Sequence, residues 1–158
     1  MSFLEPRLVQ IQNFTVAGIS TRTNNQNEFD LKTAKLPTLW NKFYAQDIPS
    51  QFSSYKLNPS IFGVYSDYES DVTGSYTVTA GLEISDEMPP PQFTTIAVQS
   101  GNYLLFENQG PQPQTIIQTW QQVWDYFSSQ SQFTRKYDTD FEVYRNSHEC
   151  AVYIGITK

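Results

Sequence analysis

The stretch Phe141-Glu142-Val143-Tyr144 sets a carboxylate two residues from a phenol, and the last apolar segment, Cys150 to Thr157, adds Tyr153. Every second side chain of a strand points to the same face, so Glu142 and Tyr144 share one. An acid among aromatic rings suits an organic cation, because ring faces attract positive charge and the carboxylate supplies the counter-charge. If the site is dry, burial also raises the acid's pKa and allows proton transfer. Other reactive groupings are sparse. One cysteine, Cys150, and one histidine, His148, exclude an internal disulfide framework and a zinc site of Cys and His ligands. No residues are placed like a Ser-His-Asp triad. The expectation is no metal and no cofactor.

Composition points the same way. Eleven Phe, ten Tyr and three Trp make up 15% of the chain, and so many tyrosines fit a half-wet cavity or interface where each hydroxyl finds a partner. Ten Lys and Arg against sixteen Asp and Glu give a net charge of -6 over 158 residues. The cations are scattered, from Arg7 through Lys56 to Lys158, and only Arg135 and Lys136 adjoin, which excludes direct nucleic-acid binding. The acidic pairs Glu69 with Asp71 and Asp86 with Glu87 read as solvated turns. The N-terminus lacks a signal-like apolar core, and the longest strongly apolar run, Tyr103 to Phe106, cannot span a bilayer. A soluble, cytoplasmic protein without membrane association is expected.

The elements that must position these residues follow from periodicity. One kinked strand or two short ones run from about Pro6 to Arg22, and Thr23 to Asp30 reads as a polar loop. Leu36, Leu39, Trp40, Phe43 and Tyr44 fall at helical spacing, with Pro37 tolerable only in the first turn and Pro49 beyond the end near Asp47. Strands Ile61 to Tyr68 and Ser75 to Ile84 form a hairpin around Gly74. The Met88-Pro89-Pro90-Pro91 stretch is a stiff linker. Strands then recur at Phe93 to Val98 and Tyr103 to Asn108. A helix through Ile116, Trp120, Val123, Trp124 and Phe127 follows, and strands Phe141 to Arg145 and Cys150 to Thr157 close the chain.

The order strand, helix, strand, strand thus occurs twice, and residues repeat with it. Phe62-Gly63-Val64-Tyr65 matches Phe141-Glu142-Val143-Tyr144, Trp40 matches Trp120, and Val78 with Gly81 matches Val152 with Gly155. One domain over 1–158 is expected, with repeats at about 1–87 and 92–158. The fold class is α+β: a tandem βαββ repeat forming a continuous antiparallel sheet, with two helices on one face and a ligand cleft on the other. Val152, Ile154 and Ile156 pack on the helices, leaving Ala151, Tyr153 and Gly155 on the free face. Phe141 and Val143 are expected to pack inward as well, which puts Glu142 and Tyr144, and in the first repeat Gly63 and Tyr65, on the free face.

The chain resembles the GyrI-like small-molecule-binding domains, the effector-binding domains of multidrug-responsive AraC- and MerR-type transcription activators. The resemblance is carried by Phe14-Thr15-Val16-Ala17-Gly18-Ile19, Ser100-Gly101-Asn102-Tyr103, the Trp120 helix, Asp140-Phe141-Glu142-Val143-Tyr144 and Val152-Tyr153-Ile154-Gly155-Ile156. It implies a cleft between the repeats, lined by aromatics and holding an acid that pairs with lipophilic cations. Glu142 is carried over to that acid. Tyr144, Tyr153, Tyr65, Trp40 and Trp120 complete the candidate ligand-binding set. The two repeats occupy the whole chain and leave no helix-turn-helix, so a stand-alone sensor or effector-binding module is expected.

Two other readings stand beside it. Some relatives are hydrolases of electrophilic compounds, and Glu142 with Tyr144 or Tyr153 could activate water and donate a proton. A protein-protein inhibitor, with a protein partner instead of a small molecule, is the third.

Overall fold

The computed structural model describes residues 5–52, 60–70, 73–85, 89–129 and 132–157; Lys56, Asp71, Asp86, Glu87, Met88 and Lys158 lie outside the described residues. Eight strands form one antiparallel sheet: β1 (Arg7–Ile11), β2 (Phe14–Asn24), β3 (Ile61–Ser66), β4 (Ser75–Ile84), β5 (Thr94–Val98), β6 (Gly101–Gln109), β7 (Thr134–Tyr144) and β8 (Glu149–Thr157). Their order across the sheet is β1-β6-β8-β7-β3-β4-β2-β5. The helices are α1 (Asn25–Glu28), α2 (Leu36–Ala45) and α3 (Gln114–Ser129), with a 3-10 turn at Ile48–Gln51. Pro37 sits in the first turn of α2, where its missing N–H costs nothing.

The βαββ order recurs as β2-α2-β3-β4 and β6-α3-β7-β8. Gly63 pairs with Glu142 across the β3–β7 seam, and a local two-fold passes between them, making Phe62 to Tyr65 equivalent to Phe141 to Tyr144. The expected match of Val78 with Val152 is corrected by the pairing. Ala80 lies opposite Gly63 and Val152 opposite Glu142, so Ala80 is the counterpart of Val152. The error is a slip of two residues, which keeps every side chain on its face and is invisible to alternation.

Three apolar clusters hold the layers. One, with Leu39, Phe43, Val78 and Ala80, lies under α2; another, with Phe106, Ile116, Val123, Val152 and Ile154, lies under α3. The third covers the opposite face, where Phe14 of β2 meets Phe141 of β7 at 5.3 Å. Two strands, β4 and β3, lie between those two, at about 4.8 Å per step, so the sheet curls strongly and closes that face on itself. Both faces of the central strands are therefore buried.

Two segments depart from expectation. The loop at Thr23 to Asp30 contains α1, because the Asn24 side chain accepts from the Asn27 N–H at 2.8 Å and caps a single turn. Strand β7 starts at Thr134, well before Phe141, since an irregularity between Arg135 and Asp140, with Tyr137 at φ 55°, interrupts its pairing and hides its alternation.

Candidate functional site

Helix α2 packs on β2 and β4, and α3 packs on β6 and β8, so β3 and β7 run beneath the gap between the helices. Glu142 stands at the middle of that gap. A Cβ on Gly63 would lie 2.8 Å from Glu142 Oε1, 3.0 Å from its Cγ and 3.1 Å from Trp40 Cζ2. The missing side chain of the first repeat is thus the space that the carboxylate of the second repeat fills.

Three neutral donors reach the acid. Trp120 Nε1 donates to Oε2 at 2.9 Å, the Tyr65 hydroxyl to Oε1 at 3.5 Å, and the Tyr144 hydroxyl bonds the same carboxylate. Glu142 is 3% exposed. Burial pushes its pKa from the ordinary 4.5 up to about 7, against the pull of those three hydrogen bonds. Burial, and then the charge of Glu142, push Tyr65 and Tyr144 well above the usual phenol range, so both remain donors.

Rings complete the wall along the local two-fold. Trp120 lies 5.0 Å from Tyr65, and Trp40 lies 5.6 Å from Tyr144. Tyr44, one turn after Trp40, stacks on it at 6.2 Å and is 60% exposed. Its position four residues on, on the same helix face, is the signal that would have added it to the set.

The expected placement of Glu142, Tyr144, Gly63 and Tyr65 on the face away from the helices is corrected: all four face the helices. Glu142 pairs with Val152 and therefore shares the helix-facing side of β8. Apolar Phe141 and Val143 pointed to the helices only on the assumption that a single face is buried, and the curled sheet buries both. Tyr65, Trp40, Trp120, Tyr144 and Glu142 are brought together. Tyr153 is not, for it stacks on Phe141 at 4.4 Å on the opposite face.

A second buried acid escaped notice. Asp140 is fully buried, accepts from Arg135 Nη2 at 2.8 Å, from the Gly155 N–H at 2.8 Å and from the Tyr68 hydroxyl. Its partner Arg135 lies beyond the β7 irregularity, so no strand pattern linked them. Cys150 is buried under α3, whereas His148 is exposed in the β7–β8 turn. Among the described residues, no group of three or more His, Cys, Asp or Glu could hold a metal ion, and no helix is long and apolar enough to cross a membrane.

A carboxylate on a local two-fold, roofed by paired tryptophans and tyrosines between two helices, describes a small-molecule-binding domain. Residues 4–156 match the GyrI-like small molecule binding domain, and the chain belongs to that family. The Bacillus subtilis (strain 168) protein YobU, named as a transcriptional regulator, is 30% identical over 131 residues, covering 81% of this chain and 79% of that protein. An integron cassette protein from the mobile metagenome of Vibrio cholerae is 34% identical, with a TM-score of 0.85 over 98% of this chain and 97% of that one. SAV2435, solved with tetraphenylphosphonium, shares the fold at a TM-score of 0.75 and 19% identity, over 98% of this chain and 94% of that one.

Proposed function

We propose that this domain binds amphipathic, lipophilic organic cations in the gap between α2 and α3. Glu142 is the counter-charge, and Trp40, Tyr65, Trp120 and Tyr144 are the ring wall. The observation that carries this reading is a buried acid whose partners are all neutral: none of the ion pairs among the described residues involves Glu142. An ionised carboxylate in that position is uncompensated, and a cation that also buries apolar surface against the rings supplies what it lacks. Because Glu142 is closed off, the ligand enters by displacing the half-buried Trp40 or Trp120. The tetraphenylphosphonium held by SAV2435 supports the same ligand class.

The hydrolase alternative has less chemical support. Tyr153 is on the other face, and Tyr65 and Tyr144, with pKa values pushed far up, are poor proton donors.

Calorimetry with tetraphenylphosphonium, neutral triphenylphosphine oxide and anionic tetraphenylborate tests the proposal. Glu142→Gln weakens the phosphonium by roughly tenfold or more and leaves the oxide nearly unchanged. Equal losses for both would overturn the counter-charge role. Since the cation needs the ionised acid, wild-type affinity rises roughly tenfold per pH unit up to about 7 and is flat above it.

A further inference from the structure

At one end of the curled face, with Ile96 on the side of the sheet opposite Glu142, lies a cavity of about 240 Å³ lined in part by Ser66, Asp67, Tyr68, Ile96, Tyr137 and Asp138. Ser66 is 2% exposed, and its hydroxyl has no hydrogen-bond partner. It ends β3 on the side shared with Phe62 and Val64, which pack in the same cluster as Ile96. The orphan hydroxyl therefore turns towards the cavity that Ile96 floors. Leaving a buried hydroxyl unsatisfied is costly, so a ligand that donates to it is favoured by that difference.

The charge around the cavity selects the donor. Asp67 and Asp138 lie exposed at its rim, and no Lys or Arg lines it. Lys136 stands outside, 3.7 Å from Asp138 with both side chains nearly half exposed, a pairing that water screens. Arg135 does not offset the rim, because Asp140 holds it at 2.8 Å and its guanidinium lies 4.4 Å from the centre of the Tyr137 ring. Tyr68 and Tyr137 meet edge to face at 5.5 Å and give the cavity ring walls. Its size is below that of drug-sized sites.

We propose that this cavity is a second binding site, for a small aliphatic amine in its ammonium form. The –NH3+ group has three donors, enough for the Ser66 Oγ and the carboxylates of Asp67 and Asp138, while the alkyl part lies against Ile96 and the tyrosine rings. The site does not depend on how the Glu142 gap is used.

The test is an NMR titration of the ¹⁵N-labelled protein with putrescine (1,4-diaminobutane), and in parallel with 1,4-butanediol. Putrescine is expected to give saturable amide shifts at residues 66–68 and 137–139 while the Trp120 indole signal stays in place; the diol gives none. Ser66→Ala and Asp67→Asn each weaken putrescine roughly tenfold. Both variants should fold: the first removes an unsatisfied group, and Asn tolerates the φ of 51° at position 67. No saturable shifts at millimolar putrescine, equal shifts with the diol, shifts only at Trp120, or unchanged affinity in both variants would each overturn the proposal.

Discussion

A carboxyl group whose pKa is near 7 inside the fold and near 4.5 outside it ties stability to pH. Between those values the folded state holds a proton that the unfolded chain has lost, so stability is greatest below about 4.5 and falls as the pH rises through about 7. The loss is on the order of 3 kcal/mol. Glu142→Gln removes it. Denaturant titrations at pH 5 and pH 8.5 should show the variant gaining on the wild type by about that amount, and parallel curves would mean that Glu142 is ionised in the fold throughout. The acid and its two phenols were legible as a group from spacing alone, because Glu142 and Tyr144 share a strand face and Tyr65 repeats Tyr144. Asp140 was not, since its arginine comes from beyond an interrupted ladder.

Helix α2 illustrates how an element depends on a residue outside it. Its N-cap, Lys35, makes no side-chain capping bond. Instead Glu28, at the end of α1, accepts from the Lys35 N–H at 2.8 Å and the Leu36 N–H at 3.2 Å, and also from the Thr23 hydroxyl. A carboxylate at that end satisfies two orphan donors and complements the helix dipole. Glu28→Ala should therefore destabilise the fold by about 1–2 kcal/mol in chemical denaturation, with Glu28→Gln recovering part of the loss; an unchanged midpoint in the Ala variant would show that water replaces the cap without cost. The run of α2 was readable from Leu36, Leu39, Trp40 and Phe43. Its cap was not, because the capping residue is remote in sequence and no capping-box spacing announces it.

Across the molecule, the two halves complete each other. Strand β1 precedes the first βαββ unit yet pairs with β6 of the second, and β5 precedes the second yet pairs with β2 of the first. With the β3–β7 seam, three separate ladders join them. Neither half keeps its edges covered without the other, so unfolding is expected to be one cooperative transition. Tryptophan fluorescence, which reports on Trp40, Trp120 and Trp124, and far-UV circular dichroism should give coincident denaturation curves. Separated midpoints would mean that the halves fold independently.

Helix and strand periodicity, the doubling of the βαββ order and the pairing of an acid with phenols were all present in the residue pattern, because each depends on spacings of a few residues that backbone geometry imposes locally. Which face Glu142 occupies was not. Phe141 and Val143 are as apolar as any helix-facing pair, and only the curl of the sheet, set by twist accumulated over eight strands, gives them a second interior to enter. The register that sets Glu142 opposite Val152 turns Glu142, Tyr65 and Tyr144 towards the helices, and leaves Tyr153, opposite Phe141, on the other face where the β8 alternation already put it.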